Sequence, residues 1–314
     1  MELPAEFLSR LREIIAPEDW DVVSESFSAT RAPAFRVNTL RASPEQLLAE
    51  LAAAGVSASP VAWSETAFVI PHSQRELLTH SAAAESGQLY VQSLSSQLAA
   101  LILQPQPGEM VLDLAAAPGG KTSHLAALMQ NQGWVSAVEP IRDRFYRLQA
   151  NLKRLGVTIG HFYQIDGRIA SRKTGPRFDR VLLDAPCSAE SRFRAGQPES
   201  FQFWSTRKIR ESSRKQAGLI RSAFEALKPG GKLLYCTCTF APEENEAIVA
   251  GLLEEFPDSA RLLELPAWLP SCRPGLRRFA GTDFPPACER TRRIIPSQEH
   301  DAFFFALIEK HSAD

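Results

Sequence analysis

"MVLDLAAAPGGKTSHLAALM", residues 110–129, is the stretch on which the fold turns. Met110 to Asp113 read as a short buried strand, and from Lys121 onward the apolar residues recur at helical spacing. Between them lies a turn of small residues. Gly119 and Gly120 permit a close backbone approach, while Ala115, Ala116 and Ala117 leave space beside it and Pro118 punctuates the run. A strand passing through such a turn into a helix is the first half of a βαβ unit. The turn has neither GxGxxG nor GxxxxGK[ST] spacing, because only Gly-Gly precedes Lys121, so it does not indicate a dinucleotide or a nucleoside triphosphate. Taken alone, a tight turn without any ligand accounts for it equally well.

The same alternation continues downstream. "WVSAVEP" reads as a strand before the helical "IRDRFYRLQANLKRLG", and "HFYQID" and "RVLLDAP" read as two more strands. A helix from about Lys208 to Leu227 and the turn "KPGG" lead to "KLLYCTCT", a fifth strand. A helix follows Pro242, and "DAFFFALIEK" closes as a last strand. Strands alternating with helices predict an α/β fold: a doubly wound, mostly parallel, Rossmann-like sheet with ligands at the carboxyl ends of its strands. Asp113, Glu139, Asp166, Asp184 and Cys238 all fall at or near those ends.

Upstream, residues 1 to about 30 read as helices and "AFRVNTL" as a strand. "SPEQLLAELAAAG" is a serine-capped helix and "AFVIP" a short strand. The expected division is a small N-terminal α/β domain over 1–85 and a larger domain over 86–314. The segment "GQLYVQSLSSQLAALIL" leads into the second.

The strand-end acids sharpen the reading. Glu139 closes the second strand, where a carboxylate can accept both hydroxyls of a ribose. Asp166 closes the third, where it can accept from an adenine amino group. A helix cap or first-turn acid explains either one singly. Together, around a small-residue turn, they describe an adenosine-bearing cofactor that needs no phosphate grip, and S-adenosylmethionine fits.

With 314 residues, 44% hydrophobic and 23% charged, the chain has ordinary globular composition and room for two domains. The N-terminal residues lack the apolar core of a signal peptide, and no apolar run reaches bilayer length. The cysteines number five, an odd count, so Cys187, Cys236, Cys238, Cys272 and Cys288 are expected to be thiols in a cytoplasmic, reducing setting. Net charge is only −1, but residues 141–216 hold seventeen Lys/Arg against seven Asp/Glu. A second basic group comprises Arg273, Arg277, Arg278, Arg290, Arg292 and Arg293. Phe193, Phe201, Phe203, Trp204 and Phe279 are interleaved with these charges, a pattern that suits phosphate contact and base stacking.

"DLAAAPGGKT", the acid of "SAVEP", the "IDG" of Asp166, "DAPCS" and "TCTFAPEENE" occur in one order, preceded by "FRVNTL" and "YVQSLSSQ". In these motifs the chain resembles the RNA cytosine-5 methyltransferases of the Sun/nucleolar-protein group, over roughly residues 30 to 308. Bacterial members of that group modify ribosomal RNA and relatives modify tRNA. The resemblance implies a methyltransferase fold, S-adenosylmethionine as cofactor, and RNA as partner, with rRNA preferred over tRNA. It implies Cys238, of the Thr-Cys motif, as nucleophile and Cys187, of the Pro-Cys motif, as the thiol assisting product release.

The chemistry explains why two thiols are useful. Carbon 5 of cytosine is a poor nucleophile until a thiolate adds at carbon 6, and the added thiolate must later be expelled. Asp184 is expected to hydrogen-bond the cytosine edge. The cofactor site is expected to draw on Ala115 to Lys121, Glu139, Asp166 and Asp184. Lys121 either lowers a thiol pKa or faces solvent, and Cys236 is read as packing.

The chain departs from the group at "AESRFRAG" after "DAPCS", where Gly-rich residues are usual. It also shows no added C-terminal RNA-binding module, which leaves recognition to the N-terminal unit, to residues 190–215, or to a partner. Three other readings are weighed. A DNA cytosine-5 methyltransferase would use Cys187 as nucleophile, but the Glu-Asn-Val motif it would carry is missing. A zinc site on Cys236, Cys238, Cys272 and Cys288 lacks a common ribbon spacing, so no metal is expected. A non-catalytic RNA-binding assembly factor has no evident use for intact thiols, acids and glycines. A cytoplasmic monomer without membrane contact is expected.

Overall fold

The computed structural model describes residues 3–312. Strands β1 (Ala34–Val37), β2 (Ser59–Val61), β3 (Ser64–Val69) and β4 (Leu89–Val91) form an antiparallel sheet in the order β2-β3-β1-β4. The helix Pro44–Ala53 covers it. Ser43 caps that helix by accepting from the Gln46 amide, and Leu47 and Leu51 enter a core with Phe35, Phe68 and Leu89. The division expected between residues 85 and 86 lies N-terminal to β4, which pairs with β1 and so belongs to this sheet. The first two helices, Ala5–Ile14 and Trp20–Ser26, pack elsewhere. Their Phe7, Leu11, Ile14 and Val23 share a core with Leu112, Val181 and Phe193 of the larger unit.

The larger unit is built on β5 (Met110–Asp113), β6 (Trp134–Val138), β7 (Gly160–Tyr163), β8 (Phe178–Asp184) and β9 (Leu227–Thr237), all parallel. These are the five parallel strands the alternation predicted. "KPGG" is the expected turn, taken inside β9. Leu227 pairs with Phe178, and the register then jumps so that Lys232 faces Arg180. Beyond β9 the sheet turns antiparallel. β10 (Ala260–Leu262), β11 (Cys272–Pro274), β14 (Arg292–Ile294) and β15 (Phe303–Lys310) extend it, while β12 (Arg278–Phe279) and β13 (Thr282–Asp283) form a separate hairpin.

Strand order along the main path is β11-β14-β15-β9-β8-β5-β6-β7. β15 lies inside the sheet, and every residue from Phe303 to Leu307 is buried, which is why "FFFAL" reads as a continuous apolar run. The order reverses between β5 and β8. A crevice opens at such a switch point, outside the carboxyl ends of the strands, and Asp113 and Asp184 stand at its two edges.

Candidate active site

β8 and β9 are parallel neighbours with Asp184 in register with Cys236, so the loops that follow them leave the sheet side by side. That adjacency brings Cys187 Sγ within 3.5 Å of Cys238 Sγ. Asp184 Oδ2 accepts from Lys121 Nζ at 2.6 Å, and the same ammonium donates to Ser96 Oγ at 2.7 Å and sits 5.5 Å from the centre of the Phe303 ring. Lys121 is therefore a mostly buried member of the site, its side chain 12% exposed and committed to Asp184 and Ser96. Cys236 donates to Asp184 Oδ1 at 3.7 Å, a contact beyond the packing role the sequence suggested.

The two facing thiols have opposite electrostatics. Cys238 is drawn down to about 7, first by the hydrogen bond from Cys187 and then, against burial, by the Arg192 guanidinium and the Lys121 ammonium. Cys187 is pushed well above its ordinary value by that same bond, by burial and by the nearby Glu244. Burial and Asp184 push Cys236 well up too. The site thus holds one thiol that ionises near neutrality beside two that stay protonated.

A cleft of about 570 Å³ runs from these sulfurs to the turn after β5. Ala115, Ala116, Ala117, Pro118, Gly120 and Lys121 line it together with Asp113 and Asp184. Asp113 is buried. Its Oδ2 accepts from the Thr122 hydroxyl at 2.7 Å, Oδ1 has no hydrogen-bond partner among the described residues, and burial raises the carboxyl to about 7. A Cβ on Gly120 would stand 2.6 Å from the Tyr90 ring, so only glycine lets that ring lie against the turn. An unsatisfied buried acceptor and a backbone without side chains fit a polar, adenosine-bearing ligand.

Glu139, Asp166 and Gly119 do not line this cleft. Glu139 is buried and accepts from the Ile141 amide at 3.0 Å, with Arg144 3.4 Å away; Arg144 itself reaches the cleft. Asp166 accepts from the Arg168 amide at 2.9 Å and pairs with the Arg168 guanidinium, which holds its carboxyl below the usual range. Asp166 thus caps the turn that follows it, and Glu139 is held by the loop after β6. Gly119 takes a φ of +105° at the helix start, facing Leu148 and Leu152.

The basic surface is smaller than its sequence. All six arginines of the C-terminal group have acidic partners: Arg273 with Asp19, Arg277 with Glu289, Arg278 with Asp283, Arg290 and Arg292 with Glu264, and Arg293 with buried Glu246. Phe193, Phe201 and Phe279 are buried, and Trp204 donates its indole N–H to Glu190, so they offer no stacking face. Phe203 is 80% exposed. Beside it, the helix Thr206–Glu225 exposes Arg207, Lys208, Arg210, Arg214 and Lys215.

Sequence reasoning missed Arg192, Glu190 and Glu244. The first two lie in "AESRFRAG", the departure after "DAPCS", and Ala189 there takes a φ of +57°, a position that favours glycine. Glu244 was quoted within "PEENE" without a role. Among the described residues, no three His, Cys, Asp or Glu side chains group as a metal site, and no helix is long and apolar enough to cross a membrane.

Comparison with known proteins agrees with this geometry. Residues 100–309 match the family described as 16S rRNA methyltransferase RsmB/F, and residues 3–94 match the N-terminal domain of 16S rRNA methyltransferase RsmF. Ribosomal RNA small subunit methyltransferase F of Cronobacter sakazakii is 39% identical over 275 residues, covering 85% of this chain and 57% of that protein. Its namesake in Citrobacter koseri is 37% identical over 316 residues, covering 99% and 64%. The chain therefore spans less than two thirds of either relative. A methyltransferase homolog protein from Pyrococcus horikoshii superposes with a TM-score of 0.79 at 30% identity, covering 99% of this chain and 100% of that one. NSun6 from the same organism, solved with SFG, shares the fold with a TM-score of 0.83 at 23% identity, covering 98% of each.

Proposed function

The chain belongs to the 16S rRNA methyltransferase RsmB/F family, and from that membership we propose that it methylates carbon 5 of a cytosine in RNA, with ribosomal RNA as the substrate. The observation that carries this reading is the pair of unlike thiols 3.5 Å apart at the mouth of the cleft. Ala115, Ala116, Ala117, Pro118, Gly120 and Lys121, with Asp113, would hold S-adenosylmethionine, which would supply an electrophilic methyl group. Glu139 would act on the cofactor through Arg144, which lines the cleft. The RNA-facing surface is assigned to the N-terminal unit and the basic helix Thr206–Glu225. The protein acts as a cytoplasmic monomer.

Cys238 is the nucleophile, because it is the thiol that ionises near neutrality. Its sulfur bonds to carbon 6 of the cytosine, and electron density moves through the ring to carbon 5, which takes the methyl group. Asp184, neutralised by Lys121, accepts from the N–H groups of the activated base. Loss of the carbon 5 proton to a solvent base then breaks the sulfur–carbon bond and releases Cys238 as the thiolate. Cys187, protonated and within reach, hydrogen-bonds the departing Cys238 thiolate and so eases its release. Chemistry with Cys187 as nucleophile is disfavoured by the same electrostatics.

Substitution of each thiol tests this. Cys187→Ala accumulates a protein–RNA species stable to denaturing electrophoresis, whereas Cys238→Ala forms neither that species nor methylated product. Trapping by Cys238→Ala and not by Cys187→Ala refutes the assignment. Bisulfite sequencing of RNA from a deletion strain identifies the modified cytosine and separates rRNA from tRNA.

A further inference from the structure

Two buried acids flank the thiols without touching them, and the oxygen atoms between them do not have enough protons. Thr239 Oγ1 lies 2.8 Å from Glu190 Oε2 and 2.7 Å from Ser188 Oγ, and Ser188 Oγ meets Glu244 Oε2. This makes three oxygen–oxygen contacts in a row. The two hydroxyls bring two protons. With both carboxylates ionised, Thr239 donates to Glu190 and Ser188 donates to Glu244, leaving two bare oxygens facing each other across 2.7 Å. A third proton must sit on one of the carboxyl groups.

The surrounding donors say which one. Glu190 Oε1 accepts from the Trp204 indole at 2.9 Å, and its Oε2 accepts from the Phe240 amide at 3.0 Å as well as from Thr239. Burial raises the Glu190 carboxyl as well, but three hydrogen-bond donors and the Arg10 charge favour its ionised form, so we take it as the anion. Glu244 Oε1 is taken by the Ser188 amide at 3.0 Å and by Gln216 Nε2 at 3.1 Å; Gln216 is oriented by its other bond, to the Pro186 carbonyl. Oε2 of Glu244 faces the hydroxyl, with the Ser188 amide only at a longer 3.3 Å. We propose that Glu244 is a carboxylic acid in the assembled site, and that its proton completes a directed chain, Glu244 to Ser188 to Thr239 to Glu190, which latches the loop carrying Cys187 to the loop carrying Cys238.

Ser188 follows Cys187 and Thr239 follows Cys238, so the latch spans the two residues adjoining the thiols. Glu244 is then a positioning residue. The groups facing it are consistent with a protonated acid: Glu190, the Cys187 thiol and the buried Tyr235, whose hydroxyl donates to the Glu244 carbonyl at 2.6 Å. No cation is among them; Arg10 pairs with Glu243 and acts on Glu190. Burial and Glu190 raise the Glu244 carboxyl to about 7. A group whose value is raised on folding contributes below its ordinary value and is lost as pH rises through the folded one, so the latch opens above neutrality.

The test has two arms, and only the second rests on the proposed methylation. Infrared spectra of the whole protein below neutral pH should show a protonated-carboxyl carbonyl band in the difference between wild type and Glu244→Gln. This band should fade as pH rises through neutrality, and its frequency should shift in Ser188→Ala, which removes the acceptor. Absence of the band from that difference overturns the proposal. In the second arm, Glu244→Gln supplies a donor that does not titrate, so it should keep turnover above neutral pH where wild type falls by about tenfold, the worth of one hydrogen bond. An identical alkaline limb in both proteins also overturns it. Loss of methylation with the band intact refutes the function and leaves the proton in place.

Discussion

Cys187→Ala removes the first cause of the lowered Cys238 value, and the consequence can be worked through. With Cys238 at about 7, half of it is thiolate at neutral pH. Without the Cys187 hydrogen bond, its value moves up toward the ordinary 9.0 of a free thiol. Full return would leave about 1% thiolate at pH 7, roughly fiftyfold less. The more basic thiolate is a better nucleophile, with a Brønsted exponent of about 0.4–0.5, which recovers about eightfold over two units. The net expectation is a fall of about sixfold in alkylation of Cys238 at pH 7, with burial and Asp184 opposing the thiolate and Arg192 and Lys121 still favouring it. The gap widens at lower pH and closes as pH approaches the variant's own thiol value. Timed alkylation with a small neutral reagent, followed by mass spectrometry of the Cys238 peptide, measures it, since the neighbouring thiols are held protonated. Superimposable pH profiles for wild type and variant would refute the claim that Cys187 activates Cys238.

Further substitutions probe the surroundings. Gly120→Ala drives a Cβ into the Tyr90 ring, so calorimetry should show S-adenosylmethionine affinity falling at least tenfold with little change in fold; unchanged affinity would remove this turn from the cofactor site. Phe203→Ala should weaken RNA binding by about 1–3 kcal/mol without altering thermal stability, and neutralising Lys208 or Arg214 should lower the salt slope of binding by about one per charge. Neutralising Arg278 or Arg290, already paired with acids, should leave that slope unchanged. Glu246→Ala strands the buried Arg293 guanidinium and should cost about 3–5 kcal/mol in urea unfolding.

What could be read from the sequence was whatever short-range spacing encodes. Strands β5 to β9 and β15, the small-residue turn and the strand-end positions all follow from periodicity and from glycine and proline placement. Charge partners do not. Arg273 meets Asp19 across 254 residues, so a run of arginines that looked like a phosphate surface is neutralised by acids no local window contains. The same limit hid the Glu244–Ser188 contact, 56 residues apart. Glu139 was placed correctly at a strand end, whereas Asp166 lies three residues past the end of β7. Their carboxylates nevertheless turn back to the nearest backbone N–H, the ordinary behaviour of an acid at the start of a helix.

The two cysteines of "YCTCT" show how much one step along a strand decides. Alternation puts residues 236 and 238 on one face and Thr237 on the other, where its hydroxyl donates to Asn245 Oδ1 at 2.5 Å and ties down the end of β9. The two cysteines stand about 7 Å apart along the strand. Cys236 is still within the sheet, in register with Asp184, and the carboxylate it meets keeps its proton on. Cys238 lies just past the last strand residue, where the loop after β8 arrives with Cys187 and where Arg192 and Lys121 converge. The same side chain is thus a protonated hydrogen-bond donor at one position and a thiol ionising near neutrality at the next on that face. The difference lies in the sheet edge, which places a carboxylate against the first and a thiol donor with two cations against the second.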